Sequence, residues 1–142
     1  MTFTMSTTVD LPYDEAVNLT RHALAEQGFG VLTEIDLAAT MKAKLDVDLP
    51  PQIILGACRP QLAHEAISVD PSIAAVLPCN VVVRSTGEST TVVEAFDPDA
   101  MMGLAGSPSG DGALASVAAD AKQRLTAALA VIAAQTPESQ EK

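Results

Sequence analysis

Tryptophan is absent from the sequence, and one tyrosine and three phenylalanines bring aromatics to only 3% of its 142 residues. With 48% hydrophobic residues the chain still has ample material for a core. That core must be aliphatic, with close contacts made at alanines, and disorder is excluded for most of the length. Cations are also scarce. Eight basic residues stand against eighteen acidic ones, a formal charge of −10, and they are scattered along the chain. Each phosphate contact needs a cation, so nucleic acid is not an expected partner, and neither is an anionic membrane surface. The opening residues, MTFTMSTTVDLP, have neither a positive n-region nor an apolar h-region, so no signal peptide is expected. No run approaches the roughly 18 apolar residues of a membrane-spanning helix. The two cysteines are 21 residues apart and lack the C-x-x-C spacing of redox and zinc motifs. These absences point to the cytoplasm, where both thiols are expected to stay reduced.

Catalytic signatures are missing too. No G-K-[ST] follows the glycines of GLAGSPSGDG, and no G-x-S-x-G nucleophile elbow occurs. Asp46 and Asp48 share a face of an extended segment, but no calcium-loop spacing follows, so they read as solvated. The Met101–Met102 pair reads as a core plug.

What is present is well punctuated. Thr2 to Val9 alternates as a half-buried strand. From about Pro12 to Gln27 runs a helix with Asp14 and Glu15 in its first turn, a buried arc of Ala16, Val17, Thr20, Ala23 and Leu24, and His22 facing outward. Gly28 supplies the left-handed residue that ends it, with Phe29 covering the last turn. Gly30 to Ile35 reads as a strand, after which Asp36 caps a short helix with an apolar stripe of Leu37, Met41 and Leu45. The prolines of LDVDLPP force an extended connector. Gln52 to Cys58 is a buried strand; Pro60 opens a helix burying Leu62, Ala63, Ala66 and Ile67; Ser72 to Leu77 forms a further turn or collapsed loop. Cys79 to Ser85 and Thr90 to Phe96 form a hairpin around Thr86–Ser89. Asp97 caps a short turn, AMMG, the 103–112 loop is expected to be mobile, and the closing helix spans about Gly112 to Ala134. Its stripe is Leu114, Val117, Ala121, Leu125, Ala128 and Ile132.

This order is not a string of simple βαβ units. It predicts a single α+β domain over 1–135, a two-layer sandwich with a largely antiparallel sheet and helices on one face, followed by a disordered tail at 136–142. An open face carrying the valines of CNVVVRS or TTVVEAF is economically covered by a second subunit, so a homodimer is expected.

The stretch from Ile53 to Arg84 collects the reactive-looking residues. Cys58 ends one strand and Cys79 begins another, so in antiparallel neighbours both thiols come to the same end of the sheet. Arg59 and a helix N-terminus beside Cys58 favour an anion and are expected to lower the pKa of a thiol held there. His64 is one turn further on, and Asn80 follows Cys79. GACRPQLAHEAI followed by LPCNVVV, and preceded by GFGVLTEID and a KLxVDLPP-like segment, resembles the bacterial and archaeal family known as domain of unknown function 302. The resemblance implies an α+β fold grouped with the TATA-binding-protein-like folds and a homodimer, and it implies no activity.

The resulting expectation is a domain, not an enzyme in its own right, that binds a small ligand or a partner protein near the Gly56–His64 turn through Cys58, Arg59, His64, Cys79 and Asn80. A thiol-dependent redox protein, or a soft-metal site of Cys58, His64 and Cys79, is the alternative, though three ligands leave a structural zinc site one short. A purely structural subunit is the second alternative. Against all of these stands the bland reading that free cysteines are small buried hydrophobes. No cofactor is indicated.

Overall fold

Antiparallel pairing with a side-chain period of two decides which residues meet the helices. The computed structural model describes residues 3–100 and 112–135. It holds five strands, β1 (Thr4–Val9), β2 (Gly30–Asp36), β3 (Gln52–Cys58), β4 (Cys79–Gly87) and β5 (Thr90–Phe96). They form one sheet in the order β1-β5-β4-β3-β2, with every neighbouring pair antiparallel. Helices α1 (Tyr13–Glu26), α2 (Leu37–Leu45), α3 (Pro60–Val69) and α4 (Gly112–Ala133) accompany it, with a 3-10 helix at Pro71–Val76. The α+β sandwich expected from the sequence is the observed architecture. The AMMG turn beyond Ala100, the 103–112 loop up to residue 111, the Met101–Met102 plug and the 136–142 tail lie outside the described residues.

Register sorts the sheet into two unequal faces. Ala57 pairs with Cys79, Leu55 with Val81, Val83 with Val93 and Val81 with Ala95, and all of these are buried on the helix side. Leu24 of α1 and Leu125, Ala128 and Ile132 of α4 join them in one cluster. The two buried threonines are satisfied: Thr20 Oγ1 donates to the Ala16 carbonyl at 2.7 Å and Thr91 Oγ1 to that of Leu11 at 2.9 Å. The opposite face carries Thr4, Ser6 and Thr8 of β1 beside Val92 and Glu94 of β5, then Val82 and Arg84 of β4 and Ile54 of β3. None of these is fully buried. Arg84 bonds Glu94 at 2.5 Å, and the Thr4 hydroxyl donates to the same carboxylate at 2.6 Å. Thr4 first, then Arg84, hold the Glu94 carboxyl below the usual carboxylate range.

Helix ends follow their capping residues. The Gly28 amide donates to the Ala25 carbonyl and that of Phe29 to Leu24, with Gly28 at φ 86°, a Schellman ending. Asp36 Oδ1 accepts the Ala39 amide at 2.9 Å. The apolar stripe expected to bury α2 does not do so, because β2 is an edge strand and α2 lies beside it at the rim of the sandwich. No residue of α2 is buried, and Leu45 is 66% exposed. Ile67 is another correction: α3 buries Leu62 and Ala66 only, and its outer turn carries Ile67 and Val69 to the surface.

One glycine is fixed by space alone. Gly56 lies on the open face opposite Thr33 and Asn80, and a Cβ there would overlap the Thr33 hydroxyl and come within 2.8 Å of Pro78 Cγ. At Gly30 the nearest atom to an added Cβ is the Cys58 carbonyl oxygen at 3.9 Å, ordinary contact. Gly56→Ala is therefore expected to cost about 1–3 kcal/mol in urea unfolding, as overpacking does. Gly30→Ala is expected to stay within about 0.5 kcal/mol, and equal losses would rule out the packing argument.

Candidate functional site

The last residues of β3 and the first of β4 are held at one end of the sheet by the Ala57–Cys79 pairing, which places Cys58 diagonally across from Cys79. Arg59 leaves the strand with extended backbone, φ −102° and ψ 107°, and Pro60 opens α3 at the first helical position, where its missing N–H is no loss. Leu62 and Ala66 turn inward from α3, Ile73 from the 3-10 helix, and Leu114, Val117, Ala118 and Ala121 from α4. Between them is a cavity of about 50 Å³. Its walls are almost wholly apolar, and Arg59 is the one charged side chain among the described residues that line it.

Two tethers shape the surroundings of this cavity. Lys122 of α4 reaches Asp99 at 2.8 Å and Asp97 at 3.4 Å, the residues on either side of Pro98, which is itself buried against the cavity. Arg59 lies over Gly28, where a Cβ would come within 2.9 Å of Nε. Gly28 thus serves both the left-handed helix ending and the space for the guanidinium stem. The Arg59 Nε is buried with no hydrogen-bond partner among the described residues. Among the described residues Arg59 forms no ion pair, whereas Arg21, Arg84 and Arg124 each meet a carboxylate at 2.5–2.7 Å.

The sequence-derived candidates divide accordingly. Cys58, Arg59 and Cys79 line the cavity together. His64 is exposed, since successive residues of α3 turn by about 100° and Leu62 and Ala66 take the inward positions. Asn80 follows Cys79 in a strand, so it points to the opposite face, where it pairs with Gly56 and borders a shallow groove with Phe3, Val82 and Phe96. Among the described residues no three His, Cys, Asp or Glu side chains converge to hold a metal ion. Phe29, Leu77, Pro98 and the α4 wall were not foreseen as site residues; Phe29, Leu114, Val117 and Ala121 read from the sequence simply as helix-packing positions, and Ala118 was not singled out.

The thiols depart from expectation. A helix N-terminus and an arginine favour a thiolate, yet burial pushes the Cys58 thiol up, and burial, then proximity to Cys58, pushes Cys79 up to about 11. Removing the thiol from water opposes its charge more strongly than the helix end and Arg59 favour it. Both cysteines are unbonded, and at neutral pH both are neutral.

The family model for the domain of unknown function DUF302 matches residues 5–132. A crystal structure of an uncharacterised conserved DUF302 protein from Bacillus stearothermophilus is similar in fold and sequence, with a TM-score of 0.82 and 28% identity. The match covers 93% of this chain and 99% of that one. Comparison with curated proteins gives no match.

Cys79 makes stability depend on pH in the alkaline range. The folded state lifts its thiol from 9.0 to about 11, so the fold binds this proton more tightly than the unfolded chain does. The stabilisation, roughly 2–3 kcal/mol, is complete below pH 9 and is lost as pH rises toward about 11. Urea unfolding between pH 8 and 11 is expected to show a steeper loss for the natural chain than for Cys79→Ala, whatever offset the substitution introduces. Parallel slopes would mean that Cys79 is solvated.

Proposed function

The chain belongs to the DUF302 family, and on that footing we propose that it is a cytoplasmic, homodimeric binding domain whose small ligand occupies the cavity beneath residues 58–60. The observation that carries this reading is the cavity itself: an apolar void bordered by a cation, Arg59, that is unpaired among the described residues, with the two cysteines in its wall as neutral, weakly polar groups. Apolar pockets with a few placed polar groups are the usual form of small-molecule sites. The size limits the ligand. A water needs about 10–15 Å³ of such space, so 50 Å³ takes only a few waters or the short end of an alkyl chain.

Dimerisation is the reading that best uses the open sheet face, where Ile54, Val82 and Val92 stand half-buried with no helix against them among the described residues. A cytoplasmic setting suits two unbonded thiols whose strands are neighbours. Among the described residues no helix is long and apolar enough to cross a membrane. The thiol-redox alternative asks for a thiolate that the buried environment disfavours.

Calorimetric titration with neutral 1-hexanol tests the ligand reading. Saturable binding is expected for the natural chain, and Ala63→Phe, which sets a ring at a half-buried position of the wall, should abolish it without lowering the melting temperature by more than a few degrees. No binding to the natural chain, or undiminished binding to the variant, would refute the cavity as the site. For the dimer, sedimentation velocity is expected to give a two-chain species that Val82→Lys shifts to one chain.

A further inference from the structure

Three features of Arg59 bear on what the ligand carries at its polar end. The chain has eighteen acidic residues against eight basic ones, so a cation on its surface has carboxylates to meet. The other three arginines meet one, and Arg59 does not among the described residues. Its Nε is nevertheless out of water and, among the described residues, without an acceptor, a costly state for a charged group. Its stem is also fixed, because it packs where Gly28 has no side chain, so the guanidinium is held beside the cavity before any ligand arrives.

Around that cation the setting favours a negative charge. Arg59 is the N-cap of α3 and offers no side-chain cap, and α3 has no acidic residue in its first turn. The Leu62 and Ala63 amides both return to the Arg59 carbonyl at 3.0 Å. Helix N-termini attract anions. No acidic side chain lines the cavity among the described residues, and the two thiols beside it are neutral.

We propose that the ligand is a short-chain carboxylic acid, its alkyl end enclosed between α3, the 3-10 helix and α4 and its carboxylate paired with the Arg59 guanidinium at the turn. This rests on the reading of the cavity as a ligand site and adds the charge of the ligand to it. Carboxylate is the chemistry a planar guanidinium pairs with most directly, through two parallel N–H donors. A cavity of about 50 Å³ limits the enclosed part to a short alkyl tip, so longer chains gain nothing beyond it unless they lie outside.

The experiment is a set of calorimetric titrations of the full chain with butyrate, hexanoate, decanoate, 1-hexanol and hexylamine, repeated on Arg59→Gln and Arg59→Lys. Hexanoate is expected to bind the natural chain at least about tenfold more tightly than 1-hexanol, the factor a charge-assisted hydrogen bond supplies, and hexylamine more weakly than either. Arg59→Gln should bring hexanoate down to the affinity of 1-hexanol on the same variant, weakening hexanoate at least about tenfold more than 1-hexanol, whereas a merely structural role for Arg59 would weaken the two alike. Arg59→Lys should restore part of the preference. Hexanol binding with no advantage for hexanoate would overturn the carboxylate and leave the cavity site standing. Failure of both ligands on the natural chain would overturn the two together.

Discussion

Alanine sets how closely the helices lie on the sheet, because a chain without tryptophan and with few aromatic residues has to remove surface from water by close approach instead of by large side chains. Ala16 and Ala23 of α1, Ala57 and Ala95 of the sheet, and Ala118, Ala121 and Ala128 of α4 are all buried. Around them Leu11, Leu24, Leu55, Leu125 and Ile132 are nearly sealed from solvent. A methyl group leaves little slack, so backbones come near, and any neighbour that is too short leaves a gap that nothing else can fill. The same economy has opposite effects at the two ends of α4. Toward its C-terminus Leu125, Ala128 and Ile132 close the layer over the sheet. Toward its N-terminus Ala118 and Ala121 face Ala57, Ala63 and Ala66, and the cavity is what remains between them.

That origin explains which parts were legible in the sequence. Strands and helices could be placed because their ends are chemically marked: Gly28 needs its positive φ, Asp36 accepts an amide, Asp70 caps the 3-10 helix through Ser72, and the prolines at 50, 51 and 60 forbid continuation. The meeting of Cys58 with Cys79 was also within reach, since two strands joined antiparallel bring the end of one beside the start of the other. Asn80 was grouped with Cys79 by adjacency, and the pleat overruled adjacency by sending it to the other face. His64 faces away from the cavity on the same kind of ground, with a helical period in place of a pleat. The α4 wall was invisible as a site because Val117 and Ala118 are remote in sequence from Cys58, and periodicity shows only that a residue faces inward, never what it faces. α2 shows the limit from the other side. Its stripe is real as a pattern, but an edge strand has only one neighbour, and the packing that would bury the stripe is not supplied by the described residues.

Burial and the helix end pull the thiols in opposite directions, and the outcome decides the character of the site. Cys79 is 8% exposed and is surrounded by aliphatic walls, so its thiolate would have to exist with little water to solvate it. The field of a helix end falls off within the first turn and amounts to a fraction of a charge, which is too little to offset that loss. Arg59 differs, because a planar guanidinium spreads its charge and is more weakly hydrated than an ammonium, and the residue is only partly buried. The cysteines therefore contribute small, polarisable wall surface, and the arginine supplies the charge.

The cavity also has an energetic consequence for the fold that holds it. Empty space lined by aliphatic groups costs about 24 cal/mol per Å³, so 50 Å³ amounts to roughly 1 kcal/mol of stability forgone. That is small against the 5–15 kcal/mol of an ordinary domain, and the chain can carry it without a ligand. It is not small as a contribution to binding, where 1.4 kcal/mol is a factor of ten. A group that enters the void recovers contacts that the surrounding alanines cannot make with one another, and an acceptor placed at Arg59 supplies the hydrogen bond that its buried Nε lacks among the described residues. The two deficits adjoin, one apolar and one cationic. A molecule that answers only one of them leaves the other in place, so the complement of this site is amphiphilic, with its polar and apolar parts adjacent.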